Sequence, residues 1–340
     1  MKRVFSYFLL IGSSLFLLYS CTKSTSSSSD LVGNWVTISD FDGVARSEAV
    51  SFVIGDTAYI STGYDGTVRL NDTWKYDADK NFWLQRATFP GAARSSAVAF
   101  NTTTKAYVTT GFDGLNKLKD TYEYNPVTNV WTKKADFGGS ARVDAVAFGI
   151  ADLGYVTTGN DGNDLKDFWQ YNPATDSWVQ KVSLGGSKRS AAVSFVYKNI
   201  GYVVTGINNG QTVNDFWAYD PSGDKWTEKR FITNYSTDTY DDNYNIVRNN
   251  AASFVMTDRS GKDHAYVCTG ENGGILKTVW EYDFDADVWT RKTDWEGTER
   301  TGAIGFSVKK RGFLGTGRNS TYRFDNFKEF LPSDTYNSND

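Results

Sequence analysis

Small and large residues take turns in six short stretches of the chain: "AVSF" (49–52), "AVAF" (97–100), "AVAF" (145–148), "AVSF" (192–195), "AASF" (251–254) and "AIGF" (303–306). A period of two is that of a β-strand, whose successive side chains face opposite ways. One face carries Ala, Ser or Gly, and the other carries Val or Ile and then Phe. Such a strand fits where sheets converge on an axis and large residues of one need a small-residue face opposite, as in small barrels and propellers. An arginine precedes each stretch: Arg46, Arg94, Arg142, Arg189, Arg248 and Arg300, at steps of 48, 48, 47, 59 and 52 residues. The chain is therefore an internal repeat, and the repeat dictates the architecture.

A second strand follows in every unit, "AYISTG", "AYVTTG", "GYVTTG", "GYVVTG", "AYVCTG" and "GFLGTG", ending at Gly63, Gly111, Gly159, Gly206, Gly270 or Gly317. Asp-Gly or Asn-Gly often comes next, the chemistry of a tight turn. A third strand is expected at "TWKYD" (73–77), "TYEYN" (121–125), "FWQYN" (168–172), "FWAYD" (216–220), "VWEYD" (279–283) and "TYRFD" (321–325), and a fourth from Trp83, Trp131, Trp178, Trp226 and Trp289. That leaves one fourth strand short. The missing one stands at the other end, where "GNWVTISDFDGVAR" (33–46) aligns with "NVWTKKADFGGSAR" (129–142). A ring lets the strand of Trp35 complete the last sheet and removes an exposed edge. The expected fold is all-β: a six-bladed β-propeller over residues 31–331, four antiparallel strands per blade, closed by the N-terminal strand joining the C-terminal blade. Residues 332–340 read as a polar tail.

The Gly closing strand two, the aromatic of strand three and the Trp of strand four together resemble the kelch repeat. The resemblance extends to the galactose-oxidase-like kelch propellers and covers residues 33–331. One departure is consistent: where kelch repeats carry a Gly-Gly doublet, the first position here is Thr62, Thr110, Thr158, Thr205, Thr269 or Thr316. The resemblance implies an architecture and a binding platform, not a reaction.

Ahead of the repeats lies a separate object. Lys2 and Arg3, an apolar run from Val4 to Leu18 and the sequence "LYSC" ending at Cys21 have signal-peptide form. They resemble a bacterial lipoprotein signal, with Cys21 as the lipidated residue. Residues 1–20 are thus expected to be a signal and residues 21–30, rich in serine, a tether. The expected location is the outer membrane through a lipid anchor, on the periplasmic side rather than the cell surface.

Composition removes several functions. The 36 basic and 40 acidic residues give a net charge of −4, unlike a general nucleic-acid binder. Galactose oxidase needs two copper-binding histidines, and this chain has one His, His264. Copper-radical chemistry is rejected on that ground, and neither a metal nor another cofactor is expected. His264 reads as a surface strand residue and Cys268 as structural. The repeated Asp72, Asp120, Asp167 and Asp215 read as acceptors for backbone N–H groups. The arginines read as structural, bonding carbonyls or the turn acids Asp65, Asp113 and Asp161 of an adjacent blade.

Candidate binding residues are those that vary between units on one face. After each repeat Gly come Tyr64, Phe112, Asn160, Ile207, Glu271 and Arg318; two residues after each Arg come Glu48, Ser96, Asp144, Ala191, Asn250 and Gly302. Constant scaffold with a variable rim is the pattern of a binding face. The step of 59 residues holds an insertion, "FITNYSTDTYDDNYNIVR" (231–248), in which Tyr235, Tyr240 and Tyr244 stand among Asp238, Asp241 and Asp242. Rings that stack and carboxylates that accept hydrogen bonds suit sugars. The expected function is a monomeric, non-enzymatic propeller that binds a glycan or a protein partner. The alternative is a metal-independent carbohydrate-active enzyme. It rests on similarity in size to periplasmic kelch propellers that mutarotate sialic acid, with Glu48, Asp144 and Glu271 near Arg46 and Arg142 as its acids and bases.

Overall fold

A computed structural model of the protein describes residues 31–234 and 244–339. The described residues form six four-stranded antiparallel sheets and no helix. Blade one, for example, is Val50–Ile54, Thr57–Ser61, Thr73–Asp77 and Phe82–Arg86. The six first strands touch one another in cyclic order around an axis, which closes the ring. Their small-residue faces line that axis: Ala49, Ala97, Ala145, Ala192, Ala251 and Ala303 surround a central channel. Seryl hydroxyls stitch neighbouring first strands, with Ser51 Oγ donating to Gly305 O at 3.1 Å and Ser253 Oγ to Ser194 O at 3.0 Å.

The large faces of the same strands fill the wedges between blades. The first-strand Phe of each blade lies on the second strand of the next, at the small residue of the "AY" or "GY" pair. Phe100 occupies the space a Cβ on Gly154 would need, and Phe148 does the same at Gly201. Repeated aromatic groups, such as Phe52, Tyr59, Tyr124 and Trp131, form these inter-blade cores. A second tie links the outer strands. Tyr124 Oη donates to Asn129 Oδ1 at 2.8 Å, and that oxygen also accepts from Ala87 N of the preceding blade at 3.0 Å.

Closure follows the expected route. The N-terminal strand Val32–Thr37 pairs antiparallel with Phe327–Thr335 of blade six, and Trp35 is wholly buried against Trp295 and Phe330. The third strand of blade six is Phe327–Thr335, not 321–325. "TYRFD" imitates the aromatic alternation, but it sits too close to Gly317. In blades one and two the third strand starts ten residues after the repeat Gly, at Thr73 and Thr121, as Phe327 does after Gly317. Residues 321–325 belong instead to the preceding hairpin, where Arg323 bridges Arg318 and Phe324 bridges Arg46. The closing strand runs on to Thr335, so the sheet takes up residues 332–335 of the tail.

All six repeat arginines are buried; they bond backbone carbonyls as expected, but the acids they hold are not the turn acids. Arg46 Nη1 and Nη2 grip Asp72 at 2.6 and 2.7 Å; Arg94 holds Asp120 at 2.7 and 2.8 Å; Arg142 holds Asp167 likewise; Arg189 pairs with Asp215. Bidentate charge-assisted bonds of this kind are strong and directional. So the acid before strand three is the clasp of its own blade. Burial pushes the Asp72 carboxyl up, but the Arg46 hydrogen bond and charge outweigh it, and the net shift is downward. The turn acids serve their own turns: Asp65 Oδ1 accepts from Thr67 N and Val68 N at 2.6 and 2.7 Å. Arg248 uses Thr278, and Arg300 uses Asn326 Oδ1 at 3.0 Å. Burial pulls Arg248 down to about 10 and Arg300 to about 9, offset only in part by nearby groups such as Asp325.

Each arginine also donates to the carbonyl of the Thr that replaces the first doublet glycine, as Arg94 Nη1 does to Thr110 O at 2.9 Å. All six threonines are held at positive φ, Thr110 at 63° and Thr205 at 66°. A β-branched residue in that region is strained.

Candidate functional site

The variable positions converge on one end of the channel. Glu48, Ser96, Asp144, Ala191, Asn250 and Gly302 line a cavity of about 140 Å³ at its mouth. They are joined by their backbones into a closed ring. Each N–H donates to the carbonyl of the equivalent residue in a neighbouring blade: Glu48 to Gly302, Ser96 to Glu48, Asp144 to Ser96, Ala191 to Asp144, Asn250 to Ala191 and Gly302 to Asn250, at 2.8–3.2 Å. All six sit at φ between 50° and 61°. This left-handed kink turns the peptide groups tangentially to meet their neighbours. The backbone does all the bonding, so the six side chains are free to differ.

Three of them form a polar row. Glu48 Oε1 lies 3.7 Å from Arg318 Nε, and Ser96 Oγ donates to Glu48 Oε2 at 3.4 Å. Asp144 follows on the other side of Ser96. Burial pushes the Asp144 carboxyl up to about 6; the Ser96 hydrogen bond opposes this and the Glu48 charge adds to it. Opposite this row, Asn250 Nδ2 donates to Glu271 Oε1 at 3.1 Å. Asn160 accepts from Lys117 Nζ at 3.0 Å and donates to Asp164 at 3.1 Å. Arg318, Glu48, Asp144, Asn160 and Glu271 thus share one mouth.

The aromatic candidates fare differently. Tyr64 is half-buried between two guanidinium groups, Arg69 at 5.0 Å and Arg323 at 5.2 Å from its ring centre. Arg69 also lies 4.6 Å from the ring centre of Phe112. Sugar stacking on Tyr64 would have to displace a guanidinium group, and on Phe112 one ring face is already taken by Arg69. Tyr244 is not a rim residue at all. It is 3% exposed and packs edge-on against Trp280 in the core between blades four and five. The insertion returns into that core because Ile232 and Ile246 anchor its base, bonded to each other at 2.9 Å and both buried. Tyr235, Tyr240, Asp238, Asp241, Asp242 and the lipidation position Cys21 lie outside the described residues. His264 is buried rather than on the surface, with Nε2 3.5 Å from Asp258 Oδ2, far from the mouth at the end of the strand Asp263–Cys268. Cys268 is fully buried, and burial pushes its thiol up. Among the described residues no group of three or more His, Cys, Asp or Glu side chains could hold a metal ion.

Sequence reasoning missed Arg69, Lys117 and Arg323. Each stands five residues after a rim residue (Tyr64, Phe112 or Arg318) and closes the same hairpin with it. That repeated cation was the available signal.

The kelch motif matches residues 188–229, which span blade four. No curated protein sequence matches the chain. Among solved structures, that of YjhT superposes with a TM-score of 0.69 at 15% identity, covering 85% of this chain and 95% of that one. The chain therefore carries a kelch motif and shares its propeller fold with YjhT.

Proposed function

We propose that the protein is a non-enzymatic binding propeller, held to the outer membrane by a lipid on Cys21, that engages a glycan or protein partner through its channel-mouth face. The observation that carries this reading is the concentration of asymmetry there. A nearly six-fold scaffold places Glu48, Ser96, Asp144 and Asn250 on one ring with Ala191 and Gly302, and a rigid frame with a variable polar rim is how loop-borne binding sites are built. The test uses the soluble chain from residue 31 onward, with a photo-crosslinking residue at position 115 on the mouth face or at position 127 on the opposite face, exposed to envelope extracts and to a glycan array. Adducts from 115 alone, or a glycan whose binding is lost on mouth substitutions, support the reading. Equal adducts from both positions together with an empty array refute it. For the anchor, Cys21→Ser should release the protein from membranes, and membrane retention of that variant would remove the lipid.

One observation favours the enzymatic alternative: a carboxyl raised to about 6, Asp144, stands in one cavity with Glu48, whose carboxylate lies 3.7 Å from Arg318. A carboxyl in that range can exchange protons near neutral pH. Acceleration of sugar anomerisation, followed by NMR and lost in Asp144→Asn, would establish it. Unchanged anomerisation of sialic acid and common hexoses would remove it.

A further inference from the structure

The rim is divided into two unlike halves. In blades six, one and two, the hairpin between strands two and three spans six residues, from Arg318 to Arg323, Tyr64 to Arg69 and Phe112 to Lys117. In blades three and five the corresponding hairpins are one residue shorter, Asn160 to Asp164 and Glu271 to Ile275. The hairpin of blade four, Ile207 to Thr212, is as long but ends in a threonine, whereas each of the first three ends in a cation. Each also carries an apolar tip residue open to solvent: Tyr322, Val68 and Leu115 are 65%, 54% and 89% exposed. The shorter hairpins have polar tips, such as Asp161-Gly162-Asn163 and Asn272-Gly273-Gly274.

The three hairpins interlock like shingles. Arg323 lies over Tyr64 and the turn glycine of blade one, where a Cβ on Gly66 would stand 3.2 Å from the guanidinium. Arg69 lies over Phe112 and the turn glycine of blade two, where a Cβ on Gly114 would meet Nη1 at 2.9 Å. Lys117 reaches on to Asn160 of blade three. The arginines are thereby fixed in place, within reach of the charges of Asp65 and Asp113 but without a hydrogen bond to them. Arg69 Nε and Arg323 Nε are buried and have no hydrogen-bond partner among the described residues, so the terminal Nη groups are the donors a ligand would meet. The carboxylates of Asp65 and Asp113 close at hand are spent on backbone amides of their own turns, as Asp113 is on Leu115 N and Asn116 N at 2.7 Å each. A pre-positioned guanidinium with unused donors favours a carboxylate, because little side-chain freedom remains to be lost on binding.

We infer that this arc of blades six, one and two docks an acidic segment of a polypeptide. Carboxylate side chains of the segment meet Arg69, Arg323 and Lys117, and its apolar side chains cover Val68, Leu115 and Tyr322. A neutral sugar fits poorly, since guanidinium groups from two residues lie over Tyr64 and one lies over Phe112. A simple anion would leave the three apolar tips in water, and burial of such side chains is what a polypeptide adds. The inference rests on the mouth face being the binding face and names what that face takes.

The test measures fluorescence anisotropy with three probes on the chain from residue 31: a labelled octapeptide of alternating Glu and Leu, its Gln-Leu counterpart, and labelled polygalacturonate. The Glu-Leu peptide should bind at least ten-fold more tightly than the Gln-Leu peptide, and salt should weaken it between about 0.05 and about 0.2 M. Arg69→Gln with Arg323→Gln should weaken it about ten-fold or more by removing charge-assisted bonds, while Arg69→Lys with Arg323→Lys keeps most of the affinity. Val68→Ser with Leu115→Ser should weaken it several-fold and leave the salt dependence unchanged. Melting curves of each variant separate lost binding from lost fold. Equal binding of the two peptides, or full affinity in the folded double Gln variant, overturns the inference. So does polygalacturonate binding through these arginines when the Glu-Leu peptide does not. If crosslinking from position 115 still captures a partner after both arginines are replaced by Gln, the mouth reading stands and the acidic segment alone is refuted. If it captures nothing even from the native chain, the glycan array is empty and the Glu-Leu peptide does not bind, both fall.

Discussion

Replacing Thr110 by glycine should make the protein more stable, against the usual cost of a glycine. Thr110 is wholly buried with φ at 63°, and its Oγ1 has no hydrogen-bond partner among the described residues. Two terms favour the change. Holding an L-residue in the left-handed region costs about 1–2 kcal/mol, and a buried hydroxyl without a partner costs about 1–3 kcal/mol. Two terms oppose it. Glycine's extra freedom in the unfolded chain costs about 0.5–1 kcal/mol, and loss of the buried methyl about 0.8 kcal/mol. The balance is a gain of about 0.2–3.7 kcal/mol. For a domain of this size each kcal/mol moves the melting temperature by about 2–4 °C, so a rise of several degrees is expected in differential scanning calorimetry. Thr110→Val separates the two favourable terms, because it removes the hydroxyl and keeps the strain; it should recover part of the gain. Thr110→Ala also keeps the strain but loses the methyl, and should fall below Val. A drop of more than about 1 kcal/mol in Thr110→Gly, measured by the same route, would refute the argument. It would show that the side chain contributes packing worth more than its strain and its hydroxyl together. The same substitution at Thr62, Thr158, Thr205, Thr269 and Thr316 should act in the same direction, since all six share the positive φ and the unpartnered hydroxyl.

Asp120→Ala should destabilise by about 3–5 kcal/mol, because it strands the buried Arg94 guanidinium without its carboxylate; Asn326→Asp, which offers Arg300 the acid that four other blades possess, should raise the melting temperature, and a fall would show that burying the new charge dominates. Asp144 has a folded-state pKa of about 6 against an unfolded value of 3.8, so the native state binds more protons between those limits and stability declines as pH rises through them; melting of Asp144→Asn followed from pH 4 to pH 8 should show an advantage over the parent that grows up to about pH 6 and is level above it, and parallel curves throughout would contradict the assignment. Tyr244→Ala should cost about 3–5 kcal/mol, as for a buried aromatic, where a ligand-facing ring would cost almost nothing in denaturant titration. Deleting residues 31–37 removes the outer strand of blade six and the buried Trp35, and a truncated chain that melts cooperatively at the full-length temperature would refute closure by that strand.

The architecture was legible because it depends on local rules applied many times. Period two in "AVAF" and turn chemistry after Gly111 are properties of a few adjacent residues, and their repetition fixes the blade count. Even the ring could be read, from a strand missing at one end and present at the other. The errors have a different origin. "TYRFD" at 321–325 satisfies the local rule for a third strand and fails only the spacing from Gly317. Asp120 looked like any loop acceptor, because nothing near it in sequence points to Arg94, 26 residues earlier. Tyr244 stands in a polar segment and reads as exposed. Its burial follows from Ile232 and Ile246 returning the segment to the inter-blade core, a tertiary effect.

The rim shows most clearly why function was harder to read than fold. Tyr64 and Phe112 have the look of stacking platforms when taken one at a time. What covers Tyr64 is partly Arg323, 259 positions away in sequence but on the adjacent blade once the ring has closed. In a propeller every blade meets two neighbours, and the last meets the first, so each rim side chain is defined by its equivalents on either side. The αL ring makes this possible without opening the scaffold. Its six N–H···O bonds use only backbone atoms, so Glu48, Asp144 or Gly302 can stand at equivalent positions while the ring stays closed. Differences that matter for binding therefore accumulate as contrasts between neighbouring hairpins. Here that contrast is three interlocked cationic hairpins with apolar tips against those of blades three, four and five, none of which ends in a cation, and it is to this contrast, rather than to any residue the repeat singles out, that the proposed docking of an acidic segment assigns its specificity.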